Sequence, residues 1–119
     1  MIRRKDVAWL KDIEQAILSI EHHPKYTGGR IAYDEDEYYR AAVYLYLERI
    51  CEAAKHLCDE HHYDAKYTEI PWRKIIGMRI ILAHHYWDIE DDIIWDVVEG
   101  HLPILKAKVH EWLAKADSC

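Results

Sequence analysis

The stretch Arg79-Ile80-Ile81-Leu82-Ala83-His84-His85-Tyr86 decides how this sequence is interpreted, because it places an arginine and a His-x-Tyr inside an apolar run. The run predicts a buried helix, and burying a guanidinium there is costly unless a carboxylate, a phosphate or water compensates it. Arginine, histidine and tyrosine together supply an anion clamp, a group that titrates near neutrality and a phenolic hydroxyl. The stretch therefore predicts a helix that carries phosphodiester chemistry.

The helical pattern continues on both sides of this stretch. Helices are predicted at about Arg3–His23, from the acidic run 34–37 to about His61, from Pro71 to about Tyr86, in a short segment capped by Asp88, and around 102–112. Three of them repeat apolar residues at helical spacing: Leu10, Ile13, Ile17 and Ile20, then Val43, Leu47, Ile50, Ala54 and Leu57, and finally Leu102, Leu105, Val109 and Trp112. No segment of any length alternates as a β-strand does. The sequence predicts one all-α domain over residues 1–119, an up-down bundle of four to five helices.

Proline and glycine residues mark the predicted helix ends. Pro24 and Gly28-Gly29 end the first helix and open a loop, and a polar loop follows at 64–69. Gly100 and Pro103 separate the fourth helix from the last one. The Val43–Leu57 series occupies a and d heptad positions, which predicts either a packing seam or a subunit interface.

Helical geometry sets how the residues of the third helix relate to one another. Its a and d positions run Trp72, Ile76, Arg79, Ala83 and Tyr86. Arg79 therefore replaces an apolar side chain on a packing seam. The other side is apolar as well: Ile75, Ile80, Ile81 and Leu82. We expect the helix to be enclosed on most sides, with Gly77 allowing a close backbone approach.

The angle between Arg79 and His84 indicates an oligomer. At about 100° per residue, His84 lies about 140° around the helix from Arg79, so a straight helix does not aim both at one atom. They converge if the helix ends near His84 or if a second copy faces it across a two-fold axis. Of these we favour a homodimer with the active site at its interface.

Two interpretations of Arg79 stay open. A lone arginine among apolar residues is more often half of a structural ion pair than a catalytic group. Arg73 and Lys74 favour a function, because cations at a helix N-terminus oppose the helix dipole. Together with His85 they are candidate contacts for RNA phosphate. Residues 72–87 hold three Arg or Lys and no acid, whereas 88–99 hold six Asp or Glu and no base, a pattern that an ordinary surface also shows.

The composition limits the classes of function. With 119 residues, a net charge of −6 and nine His counted as neutral, the overall field does not attract nucleic acid, so RNA binding needs a local basic patch. The three cysteines form no CxxC pair and fit a reducing cytosol. We expect a cytoplasmic protein without a membrane partner, because no signal-peptide h-region or membrane-spanning run is present. Without HExxH or paired Glu-x-x-His motifs, we expect no metal site and no cofactor.

Three segments carry a family resemblance. Residues 47–55 read LERICEAAK, residues 69–79 read EIPWRKIIGMR, and residues 84–89 read HHYWDI. They resemble LEIIGEAAK, EIPWRxIIGMR and HxYFGID in the HepT-type HEPN toxins, the partners of the MntA minimal nucleotidyltransferase antitoxins. Arg79, His84 and Tyr86 match the family's Arg-x4-His-x-Tyr signature. The resemblance covers nearly the whole chain.

The resemblance implies the HEPN fold and a specific function. It implies a homodimeric, metal-independent endoribonuclease with a composite site at the dimer interface. It also implies that a cognate MntA-like antitoxin silences the toxin by transferring AMP from ATP to the signature tyrosine, here Tyr86. His84 is then expected to move the proton of a ribose 2′-hydroxyl or of the leaving oxygen, and Arg79 to stabilise charge on the phosphate. Such cleavage leaves a 2′,3′-cyclic phosphate.

The chain departs from the family pattern at two positions next to the signature residues. Ile80 stands where the family commonly has Asn, and His85 replaces a small residue. The missing amide removes a hydrogen bond available to phosphate. An alternative therefore stands beside the nuclease: a catalytically weak or inactive HEPN module that is a binding partner or substrate of a minimal nucleotidyltransferase. Cys51, which replaces a Gly of the family, is interpreted as a packing change.

Overall fold

The protein is all-helical in this computed structural model, which describes residues 2–84 and 89–117. The helices are α1 (Arg4–Glu21), α2 (Gly29–Glu35), α3 (Glu37–His61), α4 (Tyr63–Lys66), α5 (Trp72–His84), α6 (Ile89–Asp96) and α7 (Leu102–Asp117), with a 3₁₀ turn at Tyr26–Gly28 and a π-helical segment at Val97–His101. Within the described ranges there is no β-strand. The predicted all-α class is confirmed. No helix of this part of the chain is both long and apolar enough to cross a membrane.

The core lies between three long helices and α5. α1 packs against α3 and α7, and α3 also packs against α5. The apolar series predicted for the first, second and last helices are buried, at 0–3% exposure for every member. The Val43–Leu57 series belongs to the core cluster of a single chain, so its interpretation as a subunit interface is wrong.

The acidic run 34–37 contains the N-cap of the second long helix, at Asp36. The Asp36 carboxylate accepts hydrogen bonds from the backbone N–H of Tyr38 (2.9 Å) and Tyr39 (3.1 Å), so α3 begins at Glu37. The residues just before Asp36 belong to α2 instead. α2 itself occupies the predicted loop, and Gly29 at φ +62° makes the sharp turn that allows it to start there.

Gly100 and Pro103 do not separate two helices. The π-helical segment Val97–His101 joins α6 directly to α7, and Pro103 falls in the first turn of α7. Proline is tolerated there because its missing N–H has no essential partner, and the wider π turn takes up the local change in hydrogen bonding. The predicted break is therefore wrong.

The buried side of α5 also differs from the prediction. Its core-facing residues are Trp72, Ile75, Met78 and Leu82, at 0–5% exposure. Arg79 and Ala83 are exposed, and Ile80 is 68% exposed, so this chain alone does not enclose the helix on most sides. Of the predicted seam, Trp72 is buried within the chain, and packing of Arg79 against a second copy stays a prediction. A Cβ added at Gly77 meets no atom within 4 Å, so no backbone approaches Gly77 closely within the described chain. Apolar residues surround this helix on nearly every side, and tertiary contacts select which of them are buried.

A polar cluster is buried where α1 begins and α3 ends. Asp6 is 1% exposed and His61 is 7% exposed, and His61 Nε2 lies 2.9 Å from Asp6 Oδ1. The Tyr63 hydroxyl donates to Asp6 Oδ2 at 2.9 Å. Burial raises the pKa of Tyr63, and the hydrogen bond to Asp6 raises it further. The cluster fastens the first turn of α1 to the end of α3.

Candidate functional site

An aromatic cluster fixes the start of α5. The indole N–H of Trp72 donates to the backbone carbonyl of Tyr67 at 2.9 Å. The Trp72 ring lies 6.1 Å from the Tyr63 ring and 6.4 Å from the Trp112 ring, so α3–α4, α5 and α7 meet at this point. Because Trp72 is held in the core, Ile75 points inward one turn later.

A thiol connects α3 to the turn of α5 that precedes Arg79. The Cys51 S–H donates to the backbone carbonyl of Ile75, with an Sγ–O distance of 3.0 Å. Burial raises the pKa of Cys51 to about 12, whereas the positive charge of Arg79 acts in the opposite direction. Arg79 lies one turn after Ile75 on α5, next to this contact. The position that replaces a glycine of the resembled family is thus a packing contact, as predicted, and it also helps to fix α5.

Arg79 lies at the border of a groove between three helices. The groove has a volume of about 330 Å³ and is lined by Trp9 and Asp12 from α1, Leu45, Glu48, Arg49 and Glu52 from α3, and Arg79 from α5. Its lining combines two guanidinium groups, three carboxylates, an indole and an exposed leucine. Such a mixed polar surface can bind both phosphate and base groups of a nucleotide.

The environment of Arg79 bears on the two interpretations that the sequence left open. Its side chain is exposed, and within residues 2–84 and 89–117 it forms no ion pair. A structural arginine inside a helical bundle needs a carboxylate partner to offset its desolvation. Arg79 therefore has no structural carboxylate partner among the described residues. Its guanidinium is accessible to a ligand.

Apart from Arg79, no predicted site residue whose side chain is described lines this groove. Arg73 and Lys74 are exposed in the first turn of α5 and do not line it. His84 is the last residue of α5, and the structure describes its backbone but not its side chain. His85 and Tyr86 lie outside the described residues altogether.

A hydrogen-bonded clamp holds α6, the helix that follows the signature segment. The hydroxyls of Tyr33 and Tyr44 both donate to Asp91 Oδ1, at 2.6 and 2.8 Å. Arg30 pairs with Asp92 at 2.6 Å. Burial is the main cause that raises the pKa of both tyrosines. Two acidic residues of α6 therefore bind α2 and α3 of the same chain.

Sequence reasoning missed two features of the groove. Arg49 lies four residues from Leu45 and three from Glu52, so one exposed face of α3 carries all three, and this spacing was readable from the sequence. Trp9 stacks on His56 with ring centroids 4.1 Å apart and planes 6° apart, a contact between helices that no local pattern indicates. Among the described residues, no group of three or more His, Cys, Asp or Glu is arranged to hold a metal ion.

The fold and the groove together define a class of protein. It is a small all-helical domain in which the arginine of the Arg-x4-His-x-Tyr signature is exposed at the edge of a polar groove. Residues 13–112 match the family described as "Ribonuclease HepT-like". The chain belongs to the HepT-like ribonuclease family.

Named proteins of archaea and bacteria are similar to this chain. "Probable ribonuclease HepT" of Thermococcus cleftensis is 31% identical over 110 residues, which cover 90% of this chain and 94% of that protein. "Putative RNase MJ1380" of Methanocaldococcus jannaschii is 30% identical over 112 residues, covering 92% and 97%. "Putative RNase TTE0752" of Caldanaerobacter subterraneus is 39% identical over 69 residues, and there the match spans 58% of this chain and 60% of that protein. No solved structure matches the chain.

Proposed function

We propose that this chain is the toxin of a toxin–antitoxin pair and that it acts as a metal-independent endoribonuclease. Membership of a ribonuclease family supports the class of reaction. The observation that carries the proposal is Arg79, whose guanidinium is exposed at the groove and has no ion-pair partner among the described residues. A guanidinium in this state can bind the two non-bridging oxygens of a phosphodiester.

The proposed reaction is a transesterification within the RNA strand. His84 removes the proton of the 2′-hydroxyl, the O2′–P bond forms and the P–O5′ bond breaks. A proton from solvent reaches the leaving 5′ oxygen, and His84 releases to solvent the proton that it took, which produces a 2′,3′-cyclic phosphate and a 5′-hydroxyl. Arg79 stabilises the charge that accumulates on the phosphate oxygens in the transition state.

Cell growth tests the assignment of these two residues. Expression of the wild-type chain without its partner is expected to stop growth, and Arg79→Ala and His84→Ala are expected to restore it. Arg4→Ala is the matched control, because Arg4 is also exposed and does not line the groove. Growth arrest by both active-site variants at wild-type protein levels would contradict the assignment.

We propose that the active unit is a homodimer formed through the exposed side of α5. Gly77 and Ile80 share that side, and the space around Gly77 together with the 68% exposure of Ile80 leaves room for a second helix. Ile80→Glu is expected to yield monomers in sedimentation velocity. Ile31→Glu, at a site that is 70% exposed on α2, should leave the dimer intact. Equal behaviour of the two variants would contradict this interface.

We further propose that a minimal nucleotidyltransferase antitoxin silences the toxin by adding AMP to Tyr86. The modification would add bulk and negative charge near Arg79 and compete with the substrate phosphate. Intact mass spectrometry of the chain co-expressed with the partner should show one or more added AMP groups, and Tyr86→Phe should abolish them. Tyr38→Phe is the control, because Tyr38 is 81% exposed and is a plausible stray acceptor. A mass gain that persists in Tyr86→Phe would place the modification elsewhere.

The alternative function is a catalytically inactive module that only binds the nucleotidyltransferase. Its support is Ile80, which replaces an amide next to Arg79 and is 68% exposed. Under this alternative, RNA stays intact at high protein concentration while a stable complex with the partner forms. Under the nuclease proposal, wild-type protein cleaves RNA, and Ile80→Asn, by restoring a hydrogen-bond donor, is expected to increase the rate.

A further inference from the structure

The groove beside Arg79 contains a second guanidinium that the proposed reaction does not use. Arg49 from α3 and Arg79 from α5 line the same groove, and both are exposed. The Arg49 guanidinium carbon lies 5.9 Å from the centre of the Tyr46 ring, a cation–π contact that restrains the side chain. In the described ranges Arg49, like Arg79, forms no ion pair.

The two guanidinium groups stand at different places around the groove. Glu48 and Cys51 are three residues apart on α3, and Cys51 bonds to α5, so Glu48 lies on the side that faces α5. Both Glu48 and Arg79 act on the ionisation of Cys51, in opposite directions, which agrees with that placement. Arg49 lies about 100° further around α3 than Glu48. The cations therefore offer two separate contacts rather than one shared clamp.

The carboxylates of the groove restrict where a polyanion can touch it. Asp12, Glu48 and Glu52 repel phosphate, so among the described residues that line the groove an RNA strand gains electrostatic attraction at the two guanidinium groups alone. The net charge of −6 on the chain makes such local contacts more important, since the overall field opposes binding.

We propose that Arg49 is a second contact for the RNA backbone and binds a phosphate neighbouring the one held by Arg79. Arg49 fixes the position of the strand, and Arg79 acts on the phosphate that reacts. The inference deepens the proposed function and rests on it for the identity of the ligand.

Salt-dependent binding of a non-cleavable strand tests the inference. The probe is a fluorescent single-stranded oligonucleotide with 2′-O-methyl groups throughout, and its affinity is measured by anisotropy over a range of KCl concentrations. Loss of one phosphate contact reduces the slope of log affinity against log salt by about 0.7 for a single strand. Arg49→Ala is expected to show this reduction and a weaker affinity at low salt, and Arg4→Ala is expected to match the wild type.

A carboxylate variant gives an independent readout with the opposite sign. Glu52→Gln removes a negative charge from the groove and should strengthen binding if phosphates approach it. Weaker binding by Glu52→Gln would mean that the carboxylate itself holds the ligand, which overturns the inference. An unchanged slope in Arg49→Ala overturns it too. If Arg49→Ala instead alters the oligomeric state in sedimentation and leaves the slope unchanged, the groove is a protein interface.

The binding experiment separates this inference from the proposed function, because the probe cannot be cleaved. If the wild type cleaves RNA and Arg49→Ala has the same salt dependence of binding as the wild type, only the role of Arg49 is refuted. Binding that depends on Arg49 in a protein that cuts no RNA refutes only the nuclease. Absence of binding by the wild type refutes the inference.

Discussion

Met78 and Arg79 are neighbours on α5 in opposite environments, and the same truncation should therefore affect them differently. Met78 is 1% exposed in the core, whereas Arg79 is exposed and forms no ion pair among the described residues. Met78→Ala removes buried methylene groups and leaves a cavity, at a cost of about 3 kcal/mol of unfolding free energy. Arg79→Ala should change that free energy by less than about 0.5 kcal/mol.

These free energies translate into clearly separated melting temperatures. An unfolding entropy of about 2.1 cal/mol/K per residue gives about 0.25 kcal/mol/K for this chain. Met78→Ala should therefore lower Tm by about 12 °C, and Arg79→Ala by no more than about 2 °C. Far-UV circular dichroism at matched protein concentration measures both, because the proposed dimer would make Tm depend on concentration.

The two variants should also separate stability from activity. Below its own Tm, Met78→Ala is expected to retain RNA cleavage, while Arg79→Ala is folded and inactive. A Tm loss in Arg79→Ala as large as that in Met78→Ala would refute the orientation of α5 and return Arg79 to a packing role.

Further predictions concern buried groups away from the groove. Asp6→Ala should lower the unfolding free energy by about 3 kcal/mol, because the Tyr63 hydroxyl loses its buried acceptor and His61 loses its carboxylate partner. Urea unfolding measures this loss, and a variant as stable as the wild type would contradict it. Asp91→Ala should cost about 2 kcal/mol because the Tyr33 and Tyr44 hydroxyls lose this shared acceptor, and a change below about 0.5 kcal/mol would show that the clamp is not formed. Burial raises the pKa of Cys51 from 9.0 to about 12, so the folded state holds this proton more tightly than the unfolded state and stability falls as the pH rises above 9 towards 12. Cys51→Ala should make this fall shallower in urea unfolding at alkaline pH, and an identical pH dependence would refute the assigned environment.

The sequence predicted which residues are buried in helices whose apolar residues lie on one side. It did not predict the buried face of α5, where apolar residues lie on most sides. In α1, α3 and α7 the apolar residues keep to one stripe, so burial follows directly from spacing. In α5 apolar residues lie on nearly every side, and several faces are equally suitable for the core. The contacts of Trp72 with Tyr67 and of Cys51 with Ile75 select the buried face, and these contacts join residues that are not periodic neighbours.

The site was only partly predictable for a similar reason. Arg79 stood out because a charge within an apolar run is unusual wherever the run packs. The groove that Arg79 lines is formed by three helices. Trp9 and Arg49 therefore become part of it only after those helices pack together. Candidates chosen for charge alone, Arg73 and Lys74, turned out to lie on the exposed first turn of α5.

Arg79 and His84 are proposed to cleave RNA by attack of the 2′-hydroxyl. The most direct test of this proposal is the analysis of RNA ends after incubation with purified protein in the presence of EDTA. We expect wild-type protein to produce 2′,3′-cyclic phosphate ends, and Arg79→Ala and His84→Ala to produce none. Intact RNA with the wild type, or cyclic ends formed equally by the three proteins, would contradict the account.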